Sequence, residues 1–266
     1  MGARVRQTEP QPRLSHHLGM VLLRSRSPAF PARFIEPCAP VLYEVAPAGP
    51  DWLHEIKHDG WRMIAPKAGE IVRLWSRNGR DWTADFAGIA AAVAHLPQEN
   101  LVLDGEAVGH GPDGLPDFHA LQGHAGRASA VLYAFDILVL DARDLRPQPL
   151  ALRRDLLAET LADPLDGLRM SEAVEGEGAT IFRYACALSL EGIISKRRKS
   201  PYRSGRDHAW RKIKFADYRR SRGDRNENPH RCPNSGGVFW CRLKDSNPRP
   251  TAYKAAALPA ELNRHP

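Results

Sequence analysis

Lys57 lies in a run of residues that could convert its normally inert amine into a nucleophile. The run is EIKHDGWR, residues 55–62. A lysine amine is protonated near neutral pH unless burial or neighbouring cations lower its pKa. Asp59 could help to place the amine, Gly60 permits either a close backbone approach or an unusual φ angle, and Arg62 can fork onto a phosphate. The run fits a nucleophilic lysine in a nucleotide pocket, but on its own it fits a mixed-charge turn beside a strand at least as well, and the segments downstream decide between the two.

Residue types that a nucleotide pocket requires follow in five segments downstream. Two carboxylates can hold a divalent metal, an aromatic ring can cover a purine face, and cations can bind an α-phosphate and lower the pKa of Lys57. These residues are Arg77 after a strand, Glu106 in an apolar strand, Phe135 in the longest strand, Glu191 at a strand start, and Lys212 and Lys214 on one strand face. Taken singly, each also fits a structural role, because an aromatic can be core and lysines can line a solvated strand face.

The bulk properties are those of a globular, basic chain. Its 266 residues are enough for one large domain or two small ones, and 42% of them are hydrophobic. The net charge of +7 favours a polyanionic partner such as nucleic acid, although it also fits simple solubility. Four cysteines without a C-x-x-C pair argue against a disulfide framework or a structural zinc site and favour a reducing cytosol. No apolar stretch approaches 18 residues, so no membrane span is expected.

Three regions differ in pattern. Residues 1–33 are rich in Arg, Pro, Ser and Gln and predict a basic flexible arm, with Met20 as an alternative initiator. Residues 34–218 have the periodicity of a folded domain. Residues 219–266 have no sustained period and predict a disordered or aberrant tail, produced by a frameshift or readthrough, or else a short interaction segment.

The folded region predicts more strands than helices. Strands are expected at residues 71–75, 101–108, 130–140, 191–196 and 210–215, and helices at 84–96, 150–162 and 180–188. Because strands and helices do not alternate strictly, the pattern favours an antiparallel-rich α+β domain over a doubly wound parallel sheet.

Six ordered segments resemble the successive motifs of the covalent nucleotidyltransferase superfamily. They read EIKHDGWR, SRNGRDW, LDGEAV, YAFDIL, EGIISKR and WRKIK. The superfamily includes ATP-dependent DNA ligases, RNA ligases and mRNA capping enzymes, and the likeness is strongest to the ligase domain of bacterial ligase D and its stand-alone relatives. The resemblance covers about residues 34–216. It implies an ATP-grasp-like nucleotidyltransferase fold with antiparallel-rich sheets flanked by helices.

The resemblance also implies a role for each matching residue. Lys57 would be adenylated by ATP, with Mg²⁺ or Mn²⁺ as the metal. Around it would stand Glu55 at the adenine edge, Arg62 and Arg77 on the nucleotide or the nick 5′-phosphate, Glu106 on the ribose or metal, Phe135 stacked on adenine, Glu191 on the metal, and Lys212 and Lys214 on the α-phosphate. His58 occupies a variable position and receives no role.

The implied reaction has three steps and a DNA partner. Lysyl-AMP forms, AMP passes to the 5′-phosphate of a nick in double-stranded DNA, and the neighbouring 3′-hydroxyl displaces AMP and seals the strand in repair or recombination. We expect a monomer in the bacterial cytoplasm, associated with the nucleoid and not with a membrane.

The resemblance is interrupted after the WRKIK segment. Such ligases continue into an OB-fold domain of roughly a hundred residues, whereas residues 219–266 do not have the pattern of five alternating strands. We therefore expect weak or no sealing unless an OB-fold module or repair proteins act in trans. Three alternatives stay open: an inactive remnant that binds ATP or DNA, an RNA ligase or capping-type guanylyltransferase, and a non-enzymatic protein that binds nucleic acid through its basic ends.

Overall fold

Two β-sheets with helices on their outer faces make up the part of the chain that the structure, a computed structural model, describes: residues 34–216 and 218. The predictions for residues 1–33 and 219–266 lie outside the described residues. Within the described range, no helix is long and apolar enough to cross a membrane.

Twelve strands and four α-helices form in the described residues, together with a 3₁₀ helix at Phe118–Gln122. The strands are β1 (Cys38–Leu42), β2 (Trp52–Ile56), β3 (Trp61–Ala68), β4 (Ile71–Val72), β5 (Trp75–Ser76), β6 (Asn100–Val108), β7 (Val131–Leu140), β8 (Arg143–Asp144), β9 (Leu168–Met170), β10 (Ala173–Val174), β11 (Gly192–Arg197) and β12 (Gly205–Lys214). The helices are α1 (Ala87–Ala94), α2 (His124–Ala128), α3 (Leu150–Thr160) and α4 (Gly178–Ala187).

The five-stranded sheet has the order β1-β12-β11-β2-β10, and the seven-stranded sheet has the order β4-β3-β6-β7-β8, with β5 paired to β3 and β9 paired to β7. Strand pairs are antiparallel except for β1 with β12 and β7 with β9. This arrangement confirms the antiparallel-rich α+β fold. The chain passes from the first sheet to the second between β2 and β3, and that connection contains Lys57.

Apolar side chains cover both outer faces and part of the space between the sheets. Helix α1 buries Ile89 and Val93 against the seven-stranded sheet, and α4 buries Ile181 against the five-stranded sheet. A third cluster, which includes Trp210 and Phe135, lies between the two sheets. Because residues alternate between faces along a strand, polar residues on the inner faces are brought together there.

Two β-bulges interrupt the alternation along β7. Asp104 and Gly105 are consecutive on β6, but their partners on β7 are separated by Phe135. The second bulge leaves Leu138 as an extra residue in the same way. A bulged residue has no partner in the ladder, and its side chain is re-aimed. The first bulge therefore turns Phe135 towards the space between the sheets.

The structure confirms most of the predicted elements and adds several. The predicted strands at 101–108, 130–140 and 191–196 correspond to β6, β7 and β11, and the three predicted helices correspond to α1, α3 and α4. The predicted strand at 71–75 is two short strands, β4 and β5, and the predicted strand at 210–215 is the end of the longer β12. Strands β2 and β3, which flank Lys57, were not predicted.

Candidate active site

Lys57 directly follows the last residue of β2, Ile56, which pairs with Ile193 of β11. Its backbone N–H donates to the carbonyl oxygen of Gly192 at 3.0 Å, so the backbone is fixed even though the strand has ended. The side chain is 20% exposed, and its Nζ donates to Oε2 of Glu191. The amine is thus held at the mouth of the space between the sheets.

Gly60 lies where the chain crosses from one sheet to the other. A Cβ atom at this position would stand 2.2 Å from the carbonyl oxygen of Ala107, a distance that real Cβ atoms do not adopt. The φ angle of Gly60 lies outside the left-handed region. Of the two reasons considered for this glycine, the close backbone approach is the one that applies.

Glu191 joins the nucleophile to the lysines of β12. Its side chain is 7% exposed, with Oε2 on Lys57 and Oε1 2.8 Å from Nζ of Lys214. Burial lowers the pKa of Lys212, and the positive charges of Lys214, Lys57 and Arg77 lower it further. One carboxylate and four cations therefore stand close together.

Glu106 faces the same space from the seven-stranded sheet, where it pairs across the ladder with Arg62. Burial raises the pKa of Glu106 to about 7, the carboxylates of Asp104 and Glu191 raise it too, and Arg62 and Lys57 oppose the rise. The charges of Glu191 and Lys57 are close enough to Glu106 to shift its pKa. The two predicted metal ligands, Glu106 and Glu191, therefore lie near each other and near Lys57.

Arg62 forks onto a carboxylate of the protein. Its Nε and Nη2 donate to Asp104 at 2.5 and 2.7 Å, and Nη2 also donates to the carbonyl oxygen of Cys38 at 3.3 Å. Tyr202 supports the same carboxylate with a hydroxyl donated at 2.6 Å. The fork considered for a phosphate is thus on Asp104 in this structure, and a contact of Arg62 with the nucleotide stays a prediction.

Phe135 is 6% exposed and lies beneath two cations. The guanidinium carbon of Arg62 is 4.3 Å from the ring centroid, and Nζ of Lys196 is 4.1 Å from it. Trp210 contacts the ring edge-on, with 6.0 Å between centroids. Stacking of adenine on Phe135 stays a prediction.

Glu55 is buried, at 2% exposure, and both carboxylate oxygens are occupied. Oε1 accepts from Arg154 at 2.7 Å and Oε2 accepts from Lys196 at 2.7 Å. A buried carboxylate is stable only when it is paired in this way. The predicted role of Glu55 at the adenine edge stays a prediction.

The chain matches the family model of the ATP-dependent DNA ligase domain over residues 38–214. It belongs to this family. It is 38% identical over 185 residues to the multifunctional non-homologous end joining protein LigD of Pseudomonas aeruginosa, an alignment that covers 68% of the chain and 22% of that protein. It is 40% identical over 155 residues to the multifunctional non-homologous end joining DNA repair protein LigD of Mycobacterium tuberculosis, which covers 58% of the chain and 20% of that protein.

Solved structures support the same fold. The ligase domain of M. tuberculosis LigD superposes on this ligase domain with a TM-score of 0.60 at 37% identity, over 67% of this chain and 58% of that one. Mycobacterial DNA ligase D complexed with ATP and MES gives 0.59 at 37% identity, over 67% of this chain and 59% of that one. The resemblance to ligase D and the nucleotidyltransferase fold are thereby confirmed. The chain spans about a fifth of the length of the curated LigD relatives.

The acidic residues beside Lys57 in this ligase domain are suited to an open magnesium site, which is completed by water and substrate, and not to a site made entirely of protein ligands. No three His, Cys, Asp or Glu side chains converge on a metal position within residues 34–216 and 218. Mg²⁺ commonly takes one or two carboxylates and completes its shell with water and substrate phosphates. Glu106 and Glu191, which share the space beside Lys57, match that donor set.

His58 adopts a definite position in the ligase domain, although the sequence gave it no role. Its ring stacks on Tyr133 with 4.6 Å between centroids, and Nε2 lies 3.0 Å from Oγ of Ser171. Burial, with the charges of Lys196 and Lys57, lowers its pKa to about 3, so the ring is neutral at physiological pH. His58 therefore packs the turn that carries the nucleophile.

Sequence reasoning missed four residues that hold the predicted ones in place. Asp104 and Lys196 stand inside the quoted segments LDGEAV and EGIISKR, so their charges within apolar strands could have drawn attention. Tyr202 and Arg154 belong to segments without a functional signal. Asp59, expected to help place the Lys57 amine, accepts a hydrogen bond from the hydroxyl of Tyr218 at 2.9 Å. These are long-range contacts, which one sequence does not reveal.

Proposed function

We propose that this chain is the adenylation domain of an ATP-dependent DNA ligase, which forms lysyl-AMP on Lys57 and transfers AMP to the 5′-phosphate of a DNA nick. The observation that carries the proposal is the convergence of Lys57, Glu191 and Lys214 through direct side-chain contacts. Membership of the ligase domain family supports it.

In the first step, Nζ of Lys57 attacks the α-phosphorus of ATP. A nitrogen–phosphorus bond forms, and the bond to pyrophosphate breaks. Glu191 orients the amine, while Lys212 and Lys214 lie where they can stabilise the charge that grows on the α-phosphate oxygens. Arg77, exposed at the end of β5, adds a further cation at the same mouth.

Glu106 and Glu191 are the residues proposed to hold Mg²⁺ or Mn²⁺. A bound divalent ion would supply charge stabilisation to the phosphates during displacement. Near neutral pH, the raised pKa of Glu106 leaves part of its carboxyl groups protonated, so cation binding would favour the ionised form.

The second and third steps use the nick itself as substrate. The 5′-phosphate takes AMP from Lys57, and the adjacent 3′-hydroxyl then displaces AMP to form the phosphodiester. Nicked double-stranded DNA is accordingly the proposed partner, in repair and recombination. An OB-fold module or repair proteins in trans, a monomeric state and a cytoplasmic, nucleoid-associated location stay predictions from the resemblance.

Covalent labelling tests the proposal. Wild-type chain incubated with α-labelled ATP and magnesium should retain label after denaturation, and Lys57→Ala should retain none. Transfer of the label to a nicked duplex would then establish the second step. A wild-type chain that binds ATP without label would favour the alternative of an inactive, nucleotide-binding remnant.

A further inference from the structure

Arg154, on α3, connects three separate elements at the purine end of the site. Its buried guanidinium donates from Nη1 to Oε1 of Glu55 at 2.7 Å and to the carbonyl oxygen of Phe135 at 3.3 Å. From Nη2 it donates to the carbonyl oxygen of Ser171 at 2.7 Å. These partners stand on β2, on β7 and in the segment between β9 and β10.

Each partner bears on the nucleotide site. Glu55 stands two residues before Lys57. Phe135 is the extra residue of a β-bulge, and Arg154 donates to its carbonyl oxygen. Ser171 contacts Nε2 of His58 through its hydroxyl, and His58 adjoins Lys57.

Arg154 also holds the carboxylate of Glu55 in one orientation. Lys196 holds the second oxygen, so the carboxylate is fixed from both sides. Without Arg154, the buried carboxylate of Glu55 would keep only Lys196 as a partner. Three acceptors would also lose a hydrogen-bond donor: Oε1 of Glu55 and the carbonyl oxygens of Phe135 and Ser171. The carboxylate would then rotate, and the bulge would lose the contact that orients Phe135.

The neighbouring Arg153 provides a natural comparison. It is equally buried on the same helix, and it forks onto Asp136 at 2.7 and 2.9 Å and donates to the carbonyl oxygen of Ser200 at 3.2 Å. Within residues 34–216 and 218, its hydrogen bonds do not reach Glu55, Phe135 or Ser171. Loss of Arg153 would therefore lower the stability of the fold and reach Phe135 only indirectly, through the adjacent Asp136.

We infer that Arg154 is a positioning residue for the adenine nucleotide: it fixes Glu55 and the Phe135 bulge before ATP binds. The inference rests on the proposed function of the site. Because Arg154 contacts neither Lys57 nor the phosphate-binding lysines in the described structure, it acts on affinity for the nucleotide and not on the rate of adenylyl transfer.

The test compares Arg154→Lys with Arg153→Lys in the full chain. ATP dissociation constants are measured in a Lys57→Ala background, where no adduct can form, and KM and maximal rate of labelling are measured with Lys57 present. For Arg154→Lys we expect ATP affinity to fall about tenfold or more. The reason is that lysine cannot make all the charged hydrogen bonds of Arg154, and the lost interaction free energy appears as weaker binding. The maximal labelling rate at saturating ATP stays near wild type, and Arg153→Lys leaves both values near wild type.

A double substitution separates positioning from general damage to the fold. If Arg154 acts through Glu55, adding Arg154→Lys to Glu55→Gln should cost less ATP affinity than Arg154→Lys alone, because interacting residues are not additive. Additive losses would overturn the inference, as would equal ATP affinity in Arg154→Lys and wild type, or equal losses in the Arg153 and Arg154 variants.

The labelling readout keeps this inference distinct from the proposed function. Absence of label on a wild-type chain that binds ATP, with the affinity pattern intact, would overturn adenylation and leave the role of Arg154 standing. Absence of any ATP binding by the wild-type chain would overturn both.

Discussion

The two sheets contribute to the site in different ways. The five-stranded sheet and its loops supply Lys57, Glu191 and Lys214, which stand at strand ends and include a side chain as exposed as 48%. The seven-stranded sheet supplies Arg62 and Phe135, which are buried among paired charges and aromatic rings. The groups proposed to act on the phosphates thus lie at the mouth, and the groups predicted to hold the nucleoside lie inside.

This division follows from the cost of burying charge. An ionised group in the interior needs an opposite charge or several hydrogen bonds, and each inner cation here has such a partner, as Arg62 has in Asp104. At strand ends, solvent and the substrate can also supply the hydrogen bonds and opposite charges that an ionised group needs. The difference predicts that substitutions at the strand ends, such as that of Glu191, alter the rate of adenylyl transfer, and that substitutions of inner residues, such as Phe135, alter ATP affinity.

Glu191→Gln should give the largest effect. It keeps the shape of the side chain but removes the negative charge that holds both Lys57 and Lys214. We expect the maximal rate of lysyl-AMP formation to fall about 100- to 1000-fold, the range for loss of one charge-stabilising group. Rapid-quench labelling at several ATP concentrations measures rate and KM. Glu175→Gln, at an exposed ion pair with Arg198, is the control, and a changed KM at unchanged rate would break the comparison.

Gly60→Ala should have the next largest effect, because it disturbs the crossing between the sheets. The added Cβ would lie 2.2 Å from the carbonyl oxygen of Ala107, so the backbone beside Lys57 must move. A displacement of about 1 Å near a reacting group can lower its rate about 100-fold. Gly123→Ala, whose Cβ would meet its nearest atom at 3.9 Å, is the matched control for the same labelling assay. Equal activity of the two variants would contradict the expected tight crossing.

Phe135→Leu should raise the KM for ATP about fivefold and leave the maximal rate near wild type, since an aromatic contact contributes about 1 kcal/mol. Phe86→Leu is the control, since Phe86 is fully buried in the outer core beneath α1. Both variants should lose stability in urea unfolding, but only Phe135→Leu should change KM. A similar KM for both would mean that Phe135 is core alone.

His58→Gln should have the smallest effect, visible in acid. The folded-state pKa of about 3 lies below the unfolded value of 6.5 because burial disfavours the charged ring. The unfolded chain therefore binds an extra proton below pH 6.5, and the stability present above that pH is lost as pH falls towards 3. At pH 5, this linkage amounts to about 1 to 2 kcal/mol for a partly exposed ring.

Urea unfolding at pH 8 and pH 5 measures the linkage. His58→Gln should lose less stability on acidification than wild type, whereas a His95→Gln control, at an exposed position after α1, should follow wild type. An unchanged acid response in His58→Gln would mean that the turn opens and hydrates this ring.

The sequence was sufficient to predict candidate site residues that lie close together, and insufficient for the residues that hold them in place. Lys57, Glu106, Glu191, Lys212 and Lys214 drew attention because each is a charged residue at a strand end or in an apolar strand, within an ordered set of segments. Their convergence on one site follows the predicted order of segments. The strand patterns of β6 and β7 were also strong enough to predict.

Three features were out of reach for physical reasons. Strands β2 and β3 carry buried charged residues such as Glu55 and Lys67, so they lack the apolar alternation of an ordinary strand. The pairing of Arg154 with Glu55 joins residues 99 apart in the chain. The bulge at Phe135 depends on its register against β6, which composition does not encode.

Because of its two bulges, β7 presents the correct side chains to each face only if the number of residues in the strand is kept. Each extra residue, Phe135 and then Leu138, reverses which face the following side chains occupy, and the second reversal restores the original phase. Deletion of either residue would therefore place every later side chain of the strand on the wrong face. Residues of the core would face the site, and residues of the site would face the core. In this segment, length is under stricter constraint than residue type, and relatives should tolerate substitutions here far better than insertions or deletions.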